Sequence, residues 1–418
     1  MSDISKCRRD FPLLDQNIYT SPLIYLDNAA TTQLPRQVLD RMLDHYLCDN
    51  ANVHRGIHSL SERSTAAYED ARYSVASFLG AKDSEIIFTS GTTDGINMLA
   101  GMYSEQILKP GMSVIVSQME HHSNLIPWQE ACKRSGAELL IAPITDNGDL
   151  DTDALRAMLS QNTALVAITA VSNVTGAVNP IEDIIQWSHS AGAAVLIDAA
   201  QALRHIRIDL SKTKADFLCF SGHKMCAPAG IGVLFARENR SKSLSPVRFG
   251  GGMVADVTES DAIWNAPPAC FEAGTVNYPA AIGLAKALDY MTQIGLDEIS
   301  AYEQSLINAY EDMLKGFPQI HILGKPAHRA SAISFTLRSS RKPGEQGKDI
   351  CPSAFDAAML LDKLGVAVRS GHHCARPLLR RLGVEYAVRI SPAFYNTFEE
   401  VEKTKIALGK VLDILYRK

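Results

Sequence analysis

A chain of 418 residues, 46% hydrophobic and 21% charged, has the make-up of a globular protein soluble in water, and its length exceeds one typical core, so two domains are expected. A formal net charge of −5 gives no electrostatic basis for nucleic acid or an anionic membrane, no apolar stretch is long enough to span a bilayer, and the first residues lack a signal-peptide core. The eight cysteines (7, 48, 132, 219, 226, 270, 351 and 374) form no CxxC pair and no zinc-type spacing, so they read as free thiols of a reducing, cytoplasmic setting.

In chain order, residues 1–20 read as a short helix and turn. Leu23–Leu26 reads as a strand running into Asp27-Asn-Ala-Ala-Thr-Thr32, and a helix is expected from Pro35 to Leu47. The polar segment 52–58, with His54, Arg55 and His58, is a loop: either a solvated connector or an anion site. From 62 to 236 apolar runs at 85–88, 113–116, 138–142, 164–168 and 193–197 alternate with amphipathic stretches of helical length. That pattern predicts an α/β fold, a mostly parallel sheet with helices on both faces. Two further runs, 217–220 and 231–235, read as short buried strands. Residues 237–270 look irregular, and helices are expected near 280–293 and 296–317. A smaller α+β part then follows, with strands near 319–323, 331–337, 365–369 and 387–391 and helices near 354–364 and 397–416. The charged segment 338–349 reads as a surface loop. The expected division is a large domain over 20–285 and a small one combining 1–19 with 286–418.

In a parallel sheet ligands gather at the carboxyl ends of the strands, and the chemistry-bearing residues fall there: Thr92 and Thr93, His121, Asn173 and Asp198. Lys224 sits in the tight connection between the runs 217–220 and 231–235. Alone it is either a turn lysine or an amine held for a Schiff base. With the buried Asp198 upstream it suits pyridoxal phosphate, whose aldehyde needs an amine and whose ring nitrogen needs a carboxylate. Ser90-Gly-Thr-Thr-Asp-Gly95 leads from a strand into a helix and offers a phosphate cradle, which Ser221 and His223 would complete. In Glu120-His-His-Ser-Asn124 one ring would stack on a flat cofactor, and spacing does not separate His121 from His122. Arg369-Ser-Gly-His-His-Cys-Ala-Arg-Pro377 surrounds one thiol with positive charge, which favours a nucleophilic thiolate. His372, His373 and Cys374 in direct succession are poorly spaced for one metal, so no metal is expected. Arg389 is a candidate clamp for a substrate carboxylate, against the plainer reading of a surface ion pair.

Taken together, Leu26-Asp-Asn-Ala-Ala30, Val53-His-Arg-Gly-Ile-His58, Met119-Glu-His-His122, Ser221-Gly-His-Lys224, Phe271-Glu-Ala-Gly-Thr275 and Arg369-Ser-Gly-His-His-Cys-Ala375 resemble the class V branch of fold-type I pyridoxal-phosphate enzymes. Within it, the last motif resembles the group II, SufS-type cysteine desulfurases. The resemblance runs nearly end to end. It implies a large sheet domain, a smaller α+β domain and a homodimer. It assigns Lys224 to the Schiff base and proton transfer, Asp198 to the pyridinium nitrogen, and Gln201 to the ring hydroxyl. Thr92, Thr93, Ser221 and His223 are then assigned to the phosphate, joined by Thr275 of a second subunit, and His121 to the ring face. The substrate would meet Asn173 and Arg389, with Asn28, His54 and Arg55 nearby, and Cys374 would carry a persulfide taken from L-cysteine. The sulfur would pass to a SufE-like or SufU-like acceptor for iron–sulfur assembly. A selenocysteine lyase, another class V aminotransferase-like enzyme and an inactive sulfur-binding scaffold are the alternatives. Three features depart from the pattern: Met225-Cys-Ala-Pro-Ala229 after the lysine, the length of 338–349, and Asp94 where Glu is common.

Overall fold

The computed structural model describes residues 4–330, 332–339 and 352–417. Most of the charged segment 338–349, and Cys351, lie outside the described residues. At the centre is a seven-stranded sheet of β1 (Ile86–Thr89), β2 (Ser113–Ser117), β3 (Glu138–Ala142), β4 (Thr163–Thr169), β5 (Ala194–Asp198), β6 (Phe217–Ser221) and β7 (Gly232–Ala236). Their spatial order is β1-β7-β6-β5-β4-β2-β3. β2 to β6 pair in parallel, while β7 is inserted antiparallel between β6 and β1.

These strands are continuous apolar runs because both faces are covered. Successive side chains enter two different cores: Val195, Ile197, Leu218, Phe220, Val233 and Phe235 pack on one side. Ala194, Leu196, Phe217, Cys219, Leu234 and Ala236 pack on the other. Among the helices, α1 (Ser59–Leu79), α2 (Thr92–Gln106), α3 (Ile126–Ser135) and α4 (Tyr278–Ile294) serve this sheet. α1 and α4 supply Val75, Leu79, Leu284 and Leu288 to the first core. α2 and α3 supply Leu99, Tyr103 and Trp128 to the second. Each fully buried side chain of this size is worth roughly 1.5–3 kcal/mol, so the two-sided burial is what holds the strand ends in place.

A second sheet of β8 (Ile320–Ile322), β9 (Ile333–Leu337), β10 (Arg369–Gly371) and β11 (Ala387–Ile390) is antiparallel, in the order β8-β9-β11-β10. Its apolar side packs with α5 (Leu296–Lys315), α6 (Ala354–Lys363) and α7 (Phe398–Leu415), through Leu306, Tyr310, Leu361, Leu408 and Val411 against Phe335, Val388 and Ile390. The architecture is thus a large mixed sheet between helices with a smaller β-rich region beside it, as in fold-type I enzymes.

Several expectations shift in detail. The strand expected at 365–369 divides in two: Val366–Ala367 pairs in parallel with Ile24–Tyr25, and β10 joins the small sheet. The stretch 237–270 contains an antiparallel pair, Val254–Val257 with Ala262–Trp264, which lacks the alternation that would have announced it. Residues 4–14 form two 3-10 turns, Ile4–Asp10 and Pro12–Leu14. Among the described residues no helix is long and apolar enough to cross a membrane, and all seven cysteines are free thiols.

Candidate active site

β1, β2, β4, β5 and β6 end on one edge of the large sheet, the edge where open α/β sheets hold ligands. A cavity of about 180 Å³ lies there. From the large sheet it is lined by Thr92, Thr93, His121, Asn173, Asp198, Gln201, Ser221, His223 and Lys224, and from the small one by Arg369, His373 and Arg389.

One end is a cradle of hydroxyls and backbone. α2 starts at Thr92 behind Gly91, an N-cap residue with no side chain of its own to cap the helix. Ser221 Oγ accepts from Thr92 N at 2.8 Å and lies 2.8 Å from Thr92 Oγ1. Gly91 and Gly232 allow the approach: a Cβ on Gly232 would sit 2.4 Å from the Gly91 Cα, and Gly91 itself has φ +152°. Thr93 Oγ1 is bonded to Ser123 Oγ at 2.7 Å. A helix N-terminus flanked by hydroxyls suits an anion.

Across the cavity, burial pushes the Lys224 pKa down from the ordinary lysine value to about 8, against the pull of Asp198 and with help from Arg389 and Arg369. Burial raises the Asp198 carboxyl, opposed by Ala200 N, which donates to it at 2.9 Å, and by Lys224. His121 is pushed down to about 3, first by burial and then by Lys224. Its Nδ1 accepts from Ser123 N at 3.1 Å, so the ring is neutral with its proton on Nε2. This bond, and the place in the cavity, separate His121 from His122, which lies outside the lining. Gln201 Nε2 donates to Ala29 O at 2.6 Å. Burial also lowers His223 to about 4.

Arg389 comes from β11 and is almost wholly buried, which excludes the surface ion-pair reading. Its Nη2 bonds Asp27 Oδ1 at 2.9 Å and its Nη1 donates to Asn173 O at 3.0 Å, while Nε has no partner among the described residues. Arg369 lines the same cavity, and the two arginines lie directly opposite each other in the β10–β11 register.

Cys374 occupies a tight turn after β10. His373 (φ 49°) and Cys374 (φ 53°) are both left-handed, a conformation costly for non-glycine residues. The turn is pinned by His122 N donating to Cys374 O at 2.7 Å and by Asn173 Nδ2 donating to His373 O at 2.7 Å. His373 is buried, with Nε2 against Ala387 O at 3.1 Å. The thiol is half-buried and near enough to bias Lys224.

Five of the sequence candidates do not line this cavity, Cys374 among them, although its neighbour His373 does. Thr275, His54 and Arg55 line a second one, of about 840 Å³, beside the buried Arg72–Glu272 pair. His54 Nε2 pairs with Glu69 there at 3.2 Å. The Asn28 amide is turned into the core, donating to Ser391 O at 2.9 Å and accepting from the Tyr395 hydroxyl. One residue behind the site escaped the sequence reading. Glu120 is fully buried and takes bonds from Ser117 Oγ (2.6 Å), Asn124 Nδ2 (2.6 Å) and Thr169 N (3.0 Å), tying together the ends of β2 and β4. Burial pushes its carboxyl up to about 8, against those bonds. An acid a few residues past the apolar run 113–116 was the available signal.

The residues present fit pyridoxal phosphate. The cradle at Gly91–Thr93 and Ser221 suits a dianion, Lys224 is a shielded amine, and Asp198 is a buried carboxylate across from it. His121 offers an uncharged ring, and the unpartnered Arg389 Nε is left for an acid group.

The sequence profile of the aminotransferase class-V family matches residues 24–404. A probable cysteine desulfurase of Mycolicibacterium paratuberculosis is 43% identical over 98% of this chain, which spans only 58% of that relative's length. A cysteine desulfurase of Dickeya dadantii is 41% identical over 99% of this chain and 97% of its own. Among solved structures, the cysteine desulfurase CsdA of Escherichia coli, in an S-sulfonic acid form, superposes with a TM-score of 0.89 at 34% identity over 99% of both chains. Fold and site together define a class-V architecture. The chain belongs to the class-V aminotransferase family and, within it, to the cysteine desulfurases.

Proposed function

We propose that this chain is a cysteine desulfurase of the SufS-type, group II branch. With pyridoxal phosphate bound, it takes sulfur from L-cysteine, releases L-alanine and carries the sulfur as a persulfide on Cys374. The observation that supports this best is the convergence of Lys224, Asp198 and Arg389 on one cavity with the pinned Cys374 turn against it.

The cofactor supplies an electrophilic aldehyde and an electron sink for the substrate's α-carbon. The chain supplies the rest. Lys224, lowered to about 8, has a useful share of free amine near neutrality and moves the α-proton. Asp198 would hold the pyridine nitrogen with its carboxylate. Asn173 and Arg389 orient the substrate carboxylate, the guanidinium being held by Asp27. The Cys374 thiolate attacks the substrate sulfur. An S–S bond forms, the C–S bond breaks with its electron pair going to carbon, and that carbon takes a proton to become the methyl group of alanine.

Thr275, His54 and Arg55, gathered in the second cavity, are on this reading directed to the partner's site in a homodimer. The persulfide, held in a short turn, is passed to an acceptor protein for iron–sulfur assembly in a reducing cytoplasm. A SufE-like acceptor fits better than a SufU-like one, because 338–353 holds no histidine to exchange onto an acceptor's zinc.

The test is incubation of the purified protein with L-cysteine and a thiol reductant, scoring alanine and sulfide together. Equal yields are expected. Cys374→Ala is expected to lose both products while keeping the visible absorbance of the bound cofactor and part of any selenocysteine cleavage. Near-normal sulfide release by that variant would overturn the persulfide reading in favour of a lyase.

A further inference from the structure

Spacing argued against a metal because His372, His373 and Cys374 are consecutive. The fold changes the membership of that group. His373 turns away to Ala387 O, and His122 arrives from the end of β2 in its place. One donor atom from each of His122, His372 and Cys374 lies within 4.8 Å of the other two, and all three residues are half-buried.

We propose that His122, His372 and Cys374 form a binding site for a borderline divalent cation of the zinc class, with water in the fourth position. Ligand type is right: two imidazoles and a thiolate are the preferred donors of zinc. Both rings also carry their lone pairs on the correct side. His372 Nδ1 accepts from Cys374 N at 3.0 Å and His122 Nε2 accepts from Arg376 N at 3.3 Å. Each acceptor nitrogen is therefore unprotonated and faces the turn that bears the thiol. The ring centroids lie 5.6 Å apart with their planes tilted by 31°. The backbone bond from His122 N to Cys374 O, 2.7 Å, fixes the two segments relative to each other.

Metal–ligand bonds of about 2.0–2.3 Å bring three donors to within about 3.5 Å of one another, so the side chains close in by about 1 Å. Half-buried side chains can rotate by that much. The exchange gives up two hydrogen bonds of 3.0 and 3.3 Å for two coordinate bonds. Binding is not redox: the S–H bond breaks, its proton goes to water, and a sulfur–metal bond replaces it. The bound ion occupies the sulfur that the proposed reaction requires, so the site is a reversible off-switch for sulfur transfer. The binding is independent of the proposed activity, and only the inhibition rests on it.

The probe is cobalt(II) alone, titrated into the purified holoprotein and followed by the visible d–d bands of tetrahedral cobalt. About one ion per chain is expected, displaced by zinc. His122→Ala and His372→Ala should each weaken binding by about 10- to 100-fold, and Cys374→Ser should abolish the tetrahedral bands. Cys48→Ser, which removes an exposed thiol elsewhere, should change nothing. His122→Gln keeps an acceptor for Arg376 N and serves if the alanine variant fails to fold. Affinity unchanged in both histidine variants would mean capture by the thiol alone and would overturn the site. Cobalt bound as expected by a protein that makes no alanine from cysteine would support the metal site and count against the activity instead.

Discussion

The two sheets contribute to one cavity in different ways. The large sheet presents groups on the ends of strands buried on both faces, and each is tied down locally: Ser221 to Thr92, Asp198 to Ala200, His121 to Ser123, with Glu120 bracing β2 and β4 behind them. The small sheet presents Arg369 and Arg389 from strands and Cys374 from a left-handed turn, and Arg389 and the turn also reach across to the large-sheet side. Arg389 bonds Asn173 O, the Cys374 turn is fastened by Asn173 and His122, and Asp27 anchors the guanidinium. A fixed pocket therefore comes from one sheet, and the groups proposed for carboxylate and sulfur come mainly from the other. A substituted cradle residue should disturb one function, whereas a substituted crossing residue should disturb both sheets.

The strongest challenge to this division is Lys224→Ala. It should abolish turnover and the visible absorbance of the bound cofactor while leaving the melting temperature of the small-sheet region unchanged. Retained absorbance and activity would remove the lysine from its role. Arg389→Ala crosses the boundary. It leaves Asp27 without its cation, and kcat/KM for cysteine should fall about 100-fold, mainly through KM. An unchanged KM would place the carboxylate elsewhere.

A third test uses pH. His121 and His373 are held near pKa 3 and His223 near 4, in each case chiefly by burial, against 6.5 in the unfolded chain. The unfolded chain then binds more protons, so this part of the stability is fully present above about pH 6.5 and is lost as pH falls toward 4 and 3. Melting temperature should drop over that interval, with the cavity lost first by fluorescence of the bound cofactor. A flat profile from pH 7 to 4 would mean that these histidines are charged in the fold. The smallest effect belongs to Thr397→Ala, which removes one half of the capping box with Glu400 at the start of α7. It should cost about 1 kcal/mol in denaturant unfolding and leave KM untouched. A change in KM would show that the small sheet is less separable from the cavity than its packing implies.

The same division explains what the sequence made legible. Strand-edge residues such as Asp198 and Ser221 follow unbroken apolar runs, so their place on the ligand edge could be read directly. Strand direction could not: Gly232–Ala236 has the composition of its neighbours, yet it runs opposite to them, because nothing in an apolar run encodes polarity. Residues whose role depends on contacts far along the chain were equally hidden. The pairing of His122 with Cys374, the turn of Asn28 into the core and the separation of Thr275, His54 and Arg55 from Lys224 all depend on packing between segments distant in sequence.

The register of β10 and β11 sets Arg369 directly against Arg389, and like charges facing each other across two strands repel. Asp27 balances only one of them by direct contact. On the proposed reading, an incoming carboxylate would supply the countercharge that Asp27 does not give to Arg369. Substrate binding would then relieve a repulsion inside the very sheet that leads into the Cys374 turn.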